Sequence, residues 1–520
     1  MRKGNFSNRV PEGQNFAALA TYQKIAQEMR AEHDLHSDDV TDIILRFRAK
    51  QMNNLAEVSL YEHENLQCFR AILTNDRMIG VLEKYLKDKE RGPFKRLLLD
   101  ATGKITAPVN NKAMLHHVLL APYPKVDSPE CYLVPVAEMI TDDSRGQNIG
   151  YFLNFVLSQL SPATFKLLRQ IGTDDSWANV NGIFMLTPGM SVTQYLRMAY
   201  DVYKGEAASE TLLKIITPSY CYSHFCKNWQ NDLNQSYDEP HVRSVLRTAM
   251  SKMTTMADSH DLHVCITAFL ILTSSEHENK QTVLARQLIG KVDRKLKDDQ
   301  DGDDFYDVDN PLHKAMYADS PFYQQYNKFL QEKAPEEEEE EEEEQSRKPN
   351  KYFAPAFVEK FIKHYIAFLP FWTVFIAKLQ NPLAERSNNA RVEGYFRILK
   401  DECAQELRSL TRLGNIRIGR YAKFREGCLT ALCNEVEADL PTKQVSQTHR
   451  PHKLATHGIN KSKASKKQKD KQAKCTRPQP RKSSIEEETF PHESSLSQMK
   501  EEWAKSRRKT ATDVAPSSQK

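Results

Sequence analysis

Five apolar, strand-forming runs between residues 96 and 173 constrain the fold of this chain most. They are rich in Leu, Val, Ile and Tyr and are bounded by turn residues, which is typical of β-strands. These runs are 96–100, 105–109, 114–123, 131–140 and 169–173. A helix is predicted at 150–168, another helix begins after Asp174, and a further strand is predicted at 212–218. Strands first, then helices alternating with strands, predict an α/β fold.

An aspartate directly follows the apolar residues of two of these strands. Asp100 ends the first strand, and Asp174 follows the strand at 169–173. Ligands of open α/β sheets bind beyond the carboxyl ends of strands, so both side chains are predicted at such an edge. An aspartate at a strand end is also a common turn former or helix cap, and each residue alone fits that role.

The stretch 386–400 is predicted to form a helix with a polar start. Its residues 387–389 can cap the free N–H groups of the first turn. Apolar residues recur after them at helical spacing and form one face. At about 100° per residue, Glu393, Arg397 and Lys400 lie along one edge of that face. A carboxylate with two cations behind it suits a metal ion beside a polyanion, whereas the alternative is a glutamate that only stabilises the helix dipole.

Composition bounds the class of protein. The 520 residues have room for roughly two to four domains. The nine cysteines form no Cys-x-x-Cys pair, which is typical of reduced thiols in an intracellular protein. The N-terminal residues include no apolar signal segment. The most apolar run, 364–379, is shorter than the about 20 residues of a membrane span, so no membrane association is expected.

Changes in composition divide the chain into six predicted parts. The N-terminal region is expected to be helical, with caps at 37–39 and 74–76, and to be either a remnant DNA-binding module or a helical preface. A helical insertion contains nine consecutive glutamates, from Glu336 to Glu344, which must be solvated. The parts are a disordered lead 1–14, a helical region 15–90, the first part of the core 91–225, the helical insertion 226–385, the C-terminal core helices 386–436 and a disordered basic tail 441–520.

Three carboxylates, those of Asp100, Asp174 and Glu393, stand out together. Mg²⁺ takes few protein ligands, mainly carboxylates, and keeps water and phosphate oxygens. Two such ions about 4 Å apart activate the attacking oxygen and stabilise the leaving oxygen of a displacement at phosphate. This chemistry requires at least three acidic side chains that converge on one cleft. The expected cofactor is Mg²⁺ or Mn²⁺.

In their order and spacing these motifs resemble the catalytic core of Mutator-like (MULE) transposases, which cut and paste DNA. The similarity covers residues 95–430 and is carried by Asp100 in Leu-Asp-Ala-Thr-Gly, Asp174 in Thr-Asp-Asp-Ser-Trp, Cys221 and His224 in Cys-Tyr-Ser-His, and Glu393 in Ser-Asn-Asn-Ala-Arg-Val-Glu. The resemblance implies a ribonuclease-H-like fold with a helical insertion before the last acid. It also implies that Asp100, Asp174 and Glu393 are the metal-binding DDE triad. Asp175 is a rival for the second position, and Asp174 is preferred because it lies nearer the strand.

The resemblance implies roles for further residues. Arg391, Arg397 and Lys400 would contact DNA phosphates. Cys221 and His224 match the family's Cys-x-x-His element and supply two of the four ligands of a structural Zn²⁺ site. The other residues considered as ligands of such a site are His260, His263 and Cys265. The favoured alternative is a packing and hydrogen-bonding role for the Cys-x-x-His pair.

Three functions are compatible with the sequence. The first is transposase-like cleavage of a DNA phosphodiester by water, followed by joining of the freed 3′-hydroxyl to target DNA. The second is a domesticated nuclear factor that binds DNA or protein and does not cut, and the third is a helical scaffold whose acids only cap helices. Retention of three acids favours the first, and the missing zinc-finger spacing of full-length members favours the second. A nuclear, DNA-binding protein is expected, and assembly into a homo-oligomer is compatible with the sequence.

Overall fold

A mixed seven-stranded sheet forms the centre of the computed structural model. Its strands are β1 (Leu55–His63), β2 (Leu66–Leu73), β3 (Arg96–Gly103), β4 (Leu115–Pro124), β5 (Cys131–Thr141), β6 (Gln170–Thr173) and β7 (Thr217–Tyr220). Their order across the sheet is β1-β2-β5-β4-β3-β6-β7. Neighbours are antiparallel from β1 through to β3, whereas β6 runs parallel to β3 and β7 parallel to β6. The α/β class predicted from the sequence is confirmed.

The structure describes most of the sheet-forming and helical parts of the chain. It covers residues 38–49, 54–63, 66–88, 95–103, 105–106, 108, 112–124, 131–290, 316–333, 348–381, 384, 392, 395–396, 400 and 418–438. The predicted lead 1–14, the glutamate tract and the basic tail lie outside these residues. Glu393, Arg391 and Arg397 lie outside them as well.

Helices before and after the strands supply the rest of the described fold. The first six are α1 (Asp39–Arg48), α2 (Asp76–Lys87), α3 (Gly146–Leu157), α4 (Pro162–Phe165), α5 (Trp177–Phe184) and α6 (Val192–Lys204). The later ones are α7 (Tyr222–Ser236), α8 (Pro240–Thr255), α9 (Ser259–Ser274), α10 (Lys280–Gly290), α11 (Pro321–Lys333), α12 (Pro355–Lys360), α13 (Leu369–Trp372), α14 (Phe375–Gln380) and α15 (Ile418–Ala438). A 3₁₀ turn spans Ser209–Lys214, so the strand predicted at 212–218 begins only at Thr217.

The N-terminal region contains a β-hairpin, whereas only helices were predicted there. β1 and β2 pair antiparallel and extend the sheet beside β5. In β1 the apolar Val58 and Leu60 alternate with more polar neighbours, and this period of two favours a strand. Arg70 of β2 makes an ion pair with Glu57 of β1 at 2.8 Å. The hairpin is thus fixed by contacts across strands, and these contacts do not follow helical spacing.

Two hydrophobic cores lie on opposite faces of the sheet. The first packs α1, Tyr395, Phe396 and the first half of α15 against Leu98 and its neighbours. The second packs α2, α3 and Ile183 of α5 against the other face. α15 contributes to both, through residues 421–428 and 429–436. Because both faces are covered, three successive leucines of β3, 97–99, are all buried.

The most apolar helical run of the described chain is part of a core. The run Pro355–Gln380 is long and apolar enough to cross a membrane, but 78% of its apolar window is buried inside the protein. It is interrupted by a π-helical turn, Phe361–Tyr365, and by a 3₁₀ turn, Ile366–Phe368, before Pro370 starts α13. This burial agrees with the expectation of no membrane association.

Candidate functional site

Asp100 lies on β3, and Asp174 directly follows the neighbouring parallel strand β6. β3 and β6 pair in register over 96–98 and 170–172. This pairing ends at Leu98 and Gly172, which lie two residues before Asp100 and Asp174, on strands spaced by about 4.8 Å. Both predicted acids therefore follow one paired stretch of two neighbouring strands, although 74 residues separate the paired positions.

Asp100 lies inside β3 and not at its end, which corrects the prediction from the sequence. The strand continues to Gly103, because residues 100–103 pair with 115–118 of β4. Asp100 is 4% exposed, and its Oδ1 accepts a hydrogen bond from the Ala101 N–H at 2.8 Å. Side chains alternate along a strand, so Asp100 shares a face with Leu98, which belongs to the first core.

Asp174 follows β6 directly, as predicted, and is held by its own loop. Its Oδ1 accepts hydrogen bonds from the Thr173 hydroxyl at 3.1 Å, the Ser176 N–H at 3.3 Å and Nδ2 of Asn179 at 2.8 Å. Its Oδ2 makes no hydrogen bond to the part of the chain that the structure describes. One oxygen therefore fixes the side chain at the start of α5, and the other stays available to a ligand.

The segment that carries the third predicted acid packs on the face that Asp100 shares. Glu393 itself is outside the described residues, but Val392, Tyr395 and Phe396 are helical and no more than 6% exposed. All three belong to the first core together with Leu98. The predicted apolar face of this helix is therefore confirmed at these three positions. Of the predicted phosphate contacts, only Lys400 is described, and it is half-buried.

A buried ionic network lies beside this segment and was not found from the sequence. Arg425 of α15 donates to both carboxylate oxygens of Glu138 on β5. The Tyr395 hydroxyl donates to Oε1 of the same carboxylate at 2.8 Å. Nε2 of His116 on β4 lies 3.0 Å from Oε2 of Glu138. Nδ1 of the same histidine lies 3.2 Å from the Tyr421 hydroxyl. Glu138 is the one charged residue in the sequence of β5, and this was the signal available in the sequence.

The charges of this network stabilise one another. Burial raises the pKa of Glu138, but Arg425 and His116 outweigh burial and hold that pKa well below its usual range. Burial lowers the pKa of Arg425, and Glu138 more than compensates. Burial raises the pKa of Tyr395, which stays a neutral hydrogen-bond donor. The network therefore ties the segment around Tyr395 and α15 to the sheet as an ion pair with polar partners.

His117 is next to this network in sequence but points to the other side of the sheet. Side chains alternate in β4, so His117 shares the face of Leu119 in the second core. It is 2% exposed, and neither ring nitrogen has a hydrogen-bond partner among the described residues. Burial and the nearby His116 lower the pKa of His117 from 6.5 to about 4. His117 is therefore a buried neutral imidazole at physiological pH.

The Cys-x-x-His pair starts α7. Cys221 is buried and directly precedes this helix, and His224 lies in its first turn. The other residues considered for zinc lie on α9, where Nδ1 of His263 is 2.8 Å from the Tyr326 hydroxyl. Burial raises the pKa of Cys265 to about 11. Within the described ranges, no group of three or more His, Cys, Asp or Glu side chains is placed to hold a metal ion.

The oxygen atoms around Asp174 fit a hard divalent cation. Oδ1 of Asn179 has no hydrogen-bond partner in the described structure, although Asn179 is 2% exposed. This orphaned oxygen lies on the side chain whose amide holds Asp174. Carboxylate and amide oxygens are ligands that Mg²⁺ and Mn²⁺ prefer. Asp174 and Asn179 therefore carry oxygen atoms of the kind that these ions take as ligands.

No family model, no curated protein and no solved structure matches this chain.

Proposed function

We propose that this chain is a transposase-derived nuclear protein that cuts and transfers DNA strands at Asp100, Asp174 and Glu393. The parallel pairing of β3 and β6 carries the proposal, because Asp100 and Asp174 each lie two residues beyond its last paired positions, Leu98 and Gly172. The buried positions of Tyr395 and Phe396 support a place for the third acid on the face of Asp100.

The strand order supports a ribonuclease-H-like core within this proposal. Along the chain, β3, β4 and β5 form an antiparallel meander, and β6 and β7 add in parallel on the other side of β3. Asp100 then lies on β3, and Asp174 directly follows its parallel neighbour β6. Helices α7 to α14 separate these strands from the third acid, as the resemblance to Mutator-like transposases implies.

The proposed roles follow from the chemistry of the side chains. A bound divalent ion at such a site supplies activation of a water molecule and stabilisation of the leaving oxygen at phosphate. Asp100, Asp174 and Glu393 would hold Mg²⁺ or Mn²⁺ through carboxylate oxygens. Asn179 orients Asp174 through its amide, and the cations Arg391, Arg397 and Lys400 would contact DNA phosphates.

A second candidate is a domesticated nuclear factor that binds DNA or protein without cutting. The hydrogen bonds of Asp174 favour it, because three donors converge on Oδ1 as they would on a residue that only orders the turn before α5. Asp100 and Asp174 would then only fix the end of the sheet.

Cleavage of end-labelled duplex DNA by the full chain, with Mg²⁺ or Mn²⁺, separates these functions. Loss of an acid that holds the ion removes several kcal/mol of transition-state stabilisation, or about a thousandfold in rate. Asp100→Asn, Asp174→Asn and Glu393→Gln should each show this loss. Asp238→Asn, at an exposed aspartate between α7 and α8, should cleave like the wild type. Binding of DNA without cleavage by the wild-type chain would instead support the second candidate.

A further inference from the structure

The two aspartates that follow β6 contact different parts of the molecule. Asp174 accepts hydrogen bonds from its own loop and from Asn179 of α5. Asp175 instead accepts a hydrogen bond at 2.5 Å, through Oδ2, from Nδ2 of Asn228. Asn228 lies on α7, outside the sheet. The adjacent carboxylates are thus held by separate groups, and one of these groups belongs to the helical region.

The register of the sheet explains why α7 reaches this loop. β6 and β7 pair in parallel up to Thr173 and Tyr220. The next N–H, that of Cys221, donates to the Thr173 carbonyl at 2.6 Å. α7 begins directly afterwards, so it leaves the sheet at the same edge as the loop after β6. Two turns of helix then bring Asn228 to Asp175.

A second contact between the helical region and this loop involves Trp177. Trp177 is the first residue of α5, and its ring meets Phe368 edge to face with centroids 4.6 Å apart. Phe368 lies in the 3₁₀ turn before α13 and is 1% exposed. Because Phe368 is buried in the aromatic core of the helical region, it is a rigid support for the start of α5.

We infer that Asn228 and Phe368 are positioning residues of the candidate site, which hold the loop 174–177 through Asp175 and Trp177 so that Asp174 presents its Oδ2 as a metal ligand. This inference rests on the proposed function. It gives the adjacent aspartates different roles, with Asp174 as the ligand and Asp175 as the anchor of the loop. It also gives the helical region a role at the site, because α7 and the 3₁₀ turn before α13 each contact the loop 174–177.

The size of the expected effect follows from metal sites in general. A ligating side chain must be held within about 0.5 Å of its productive place by the groups around it. Loss of such a supporting hydrogen bond weakens metal binding by about 10- to 100-fold. Removal of the Asn228 amide should therefore weaken metal binding while the fold is kept.

The test measures the affinity of the full chain for Mn²⁺ in the absence of DNA. It uses titration calorimetry or the electron paramagnetic resonance signal of free Mn²⁺. Asn228→Ala should raise the Kd for Mn²⁺ at least about tenfold. The matched control is Asn231→Ala, an exposed asparagine one turn further along α7. Asn231→Ala should bind Mn²⁺ like the wild type. Thermal unfolding of each variant establishes that the chain is folded.

A reversed pair distinguishes a positioning role from a general loss of packing. Asn228→Asp places a second carboxylate against Asp175, so it should weaken Mn²⁺ binding at least as much as Asn228→Ala. Adding Asp175→Asn to Asn228→Asp exchanges the two side chains. Residue 175 then supplies the amide donor, and residue 228 supplies the carboxylate acceptor. The double variant should regain most of the wild-type Mn²⁺ affinity.

The outcomes separate the inference from the function on which it rests. Equal Mn²⁺ affinity of Asn228→Ala and Asn231→Ala, with binding abolished by Asp174→Asn, overturns the inference and leaves the proposed function standing. Unchanged Mn²⁺ affinity in Asp174→Asn and Asp100→Asn overturns the site and both statements with it. Weakened binding in Asn228→Ala that the reversed pair does not restore overturns the assignment of Asp175 as the anchor.

Discussion

Arg425 and Glu138 form a buried ion pair that joins the last described helix to the middle of the sheet. Nε of Arg425 lies 3.1 and 3.0 Å from the two carboxylate oxygens, and Nη2 lies 2.5 Å from Oε1. The side chains are 2% and 0% exposed. Because the Tyr395 hydroxyl shares the same carboxylate, this pair fixes both C-terminal segments of the first core on β5.

Removing one charge of this pair should destabilise the protein strongly. Glu138→Gln leaves the Arg425 guanidinium buried without a counter-charge, which should lower the free energy of unfolding by about 3–5 kcal/mol. Urea denaturation followed by circular dichroism measures the change. The double variant Glu138→Leu with Arg425→Met removes both charges and should recover about half of that loss or more. A single variant within about 1 kcal/mol of the wild type would contradict a buried, uncompensated charge.

His117 should make the protein less stable as pH falls below neutrality. Its pKa is lowered by burial and by His116 from 6.5 to about 4, so between these values the unfolded chain binds the proton that the folded chain excludes. The contribution of neutral His117 to the free energy of unfolding is complete above pH 6.5 and is lost as pH falls towards 4. The linkage relation gives about 2 kcal/mol between pH 7.5 and 5. His117→Leu should lack this component in urea unfolding at the two pH values, and an equal loss in both proteins would exclude His117 as its source.

Gly182 should not tolerate a methyl group where α5 crosses α3. A Cβ at Gly182 would lie 2.7 Å from Cγ2 of Ile149 and 3.0 Å from the backbone nitrogen of Gly150. Gly182→Ala should therefore lower stability by about 1–3 kcal/mol. The control is Gly80→Ala on α2, where nothing lies within 4 Å and the loss of backbone freedom should stabilise the helix by about 0.5–1 kcal/mol. In thermal unfolding, the Tm of Gly182→Ala should lie below that of the wild type, and the Tm of Gly80→Ala should lie above it.

Cys265 should resist alkylation in the folded protein. It is 5% exposed, and burial raises its pKa from 9.0 to about 11, so almost no thiolate is present at pH 8. Cys131 at the start of β5 is half-exposed and serves as the internal comparison. Peptide mass spectrometry after brief treatment with iodoacetamide should find Cys131 modified well before Cys265. Equal rates at the two thiols would contradict the packing of α9.

Local features were predictable because they depend on a few neighbouring residues. The helix caps at Asp38 and Asn75 are present as predicted, with each side chain accepting a backbone N–H three residues ahead. The strand before Asp174 is also where its apolar residues placed it. These elements are set by capping chemistry and by short-range periodicity, both of which are legible in one sequence.

Features that depend on distant partners were not predictable in this way. The hairpin of β1 and β2 was assigned to a helical region, because the alternation in β1 is short and its partner strand is not identified by any local pattern. Asp100 was placed at a strand end, since nothing near it indicates that β4 extends the pairing to Gly103. Glu138 and Arg425 are 287 residues apart, and no local pattern links them.

That separation has a consequence for how the chain reaches its native state. A ribosome adds about 5–20 residues per second, so the 287 residues between Glu138 and Arg425 take roughly 15–60 s to emerge. During this interval α15 has not yet been synthesised, so the Glu138 carboxylate lacks Arg425 and one face of the sheet lacks the helix that packs on it. The nascent chain therefore depends on late closure of a long-range contact, which slows folding and leaves an apolar surface for chaperones to bind.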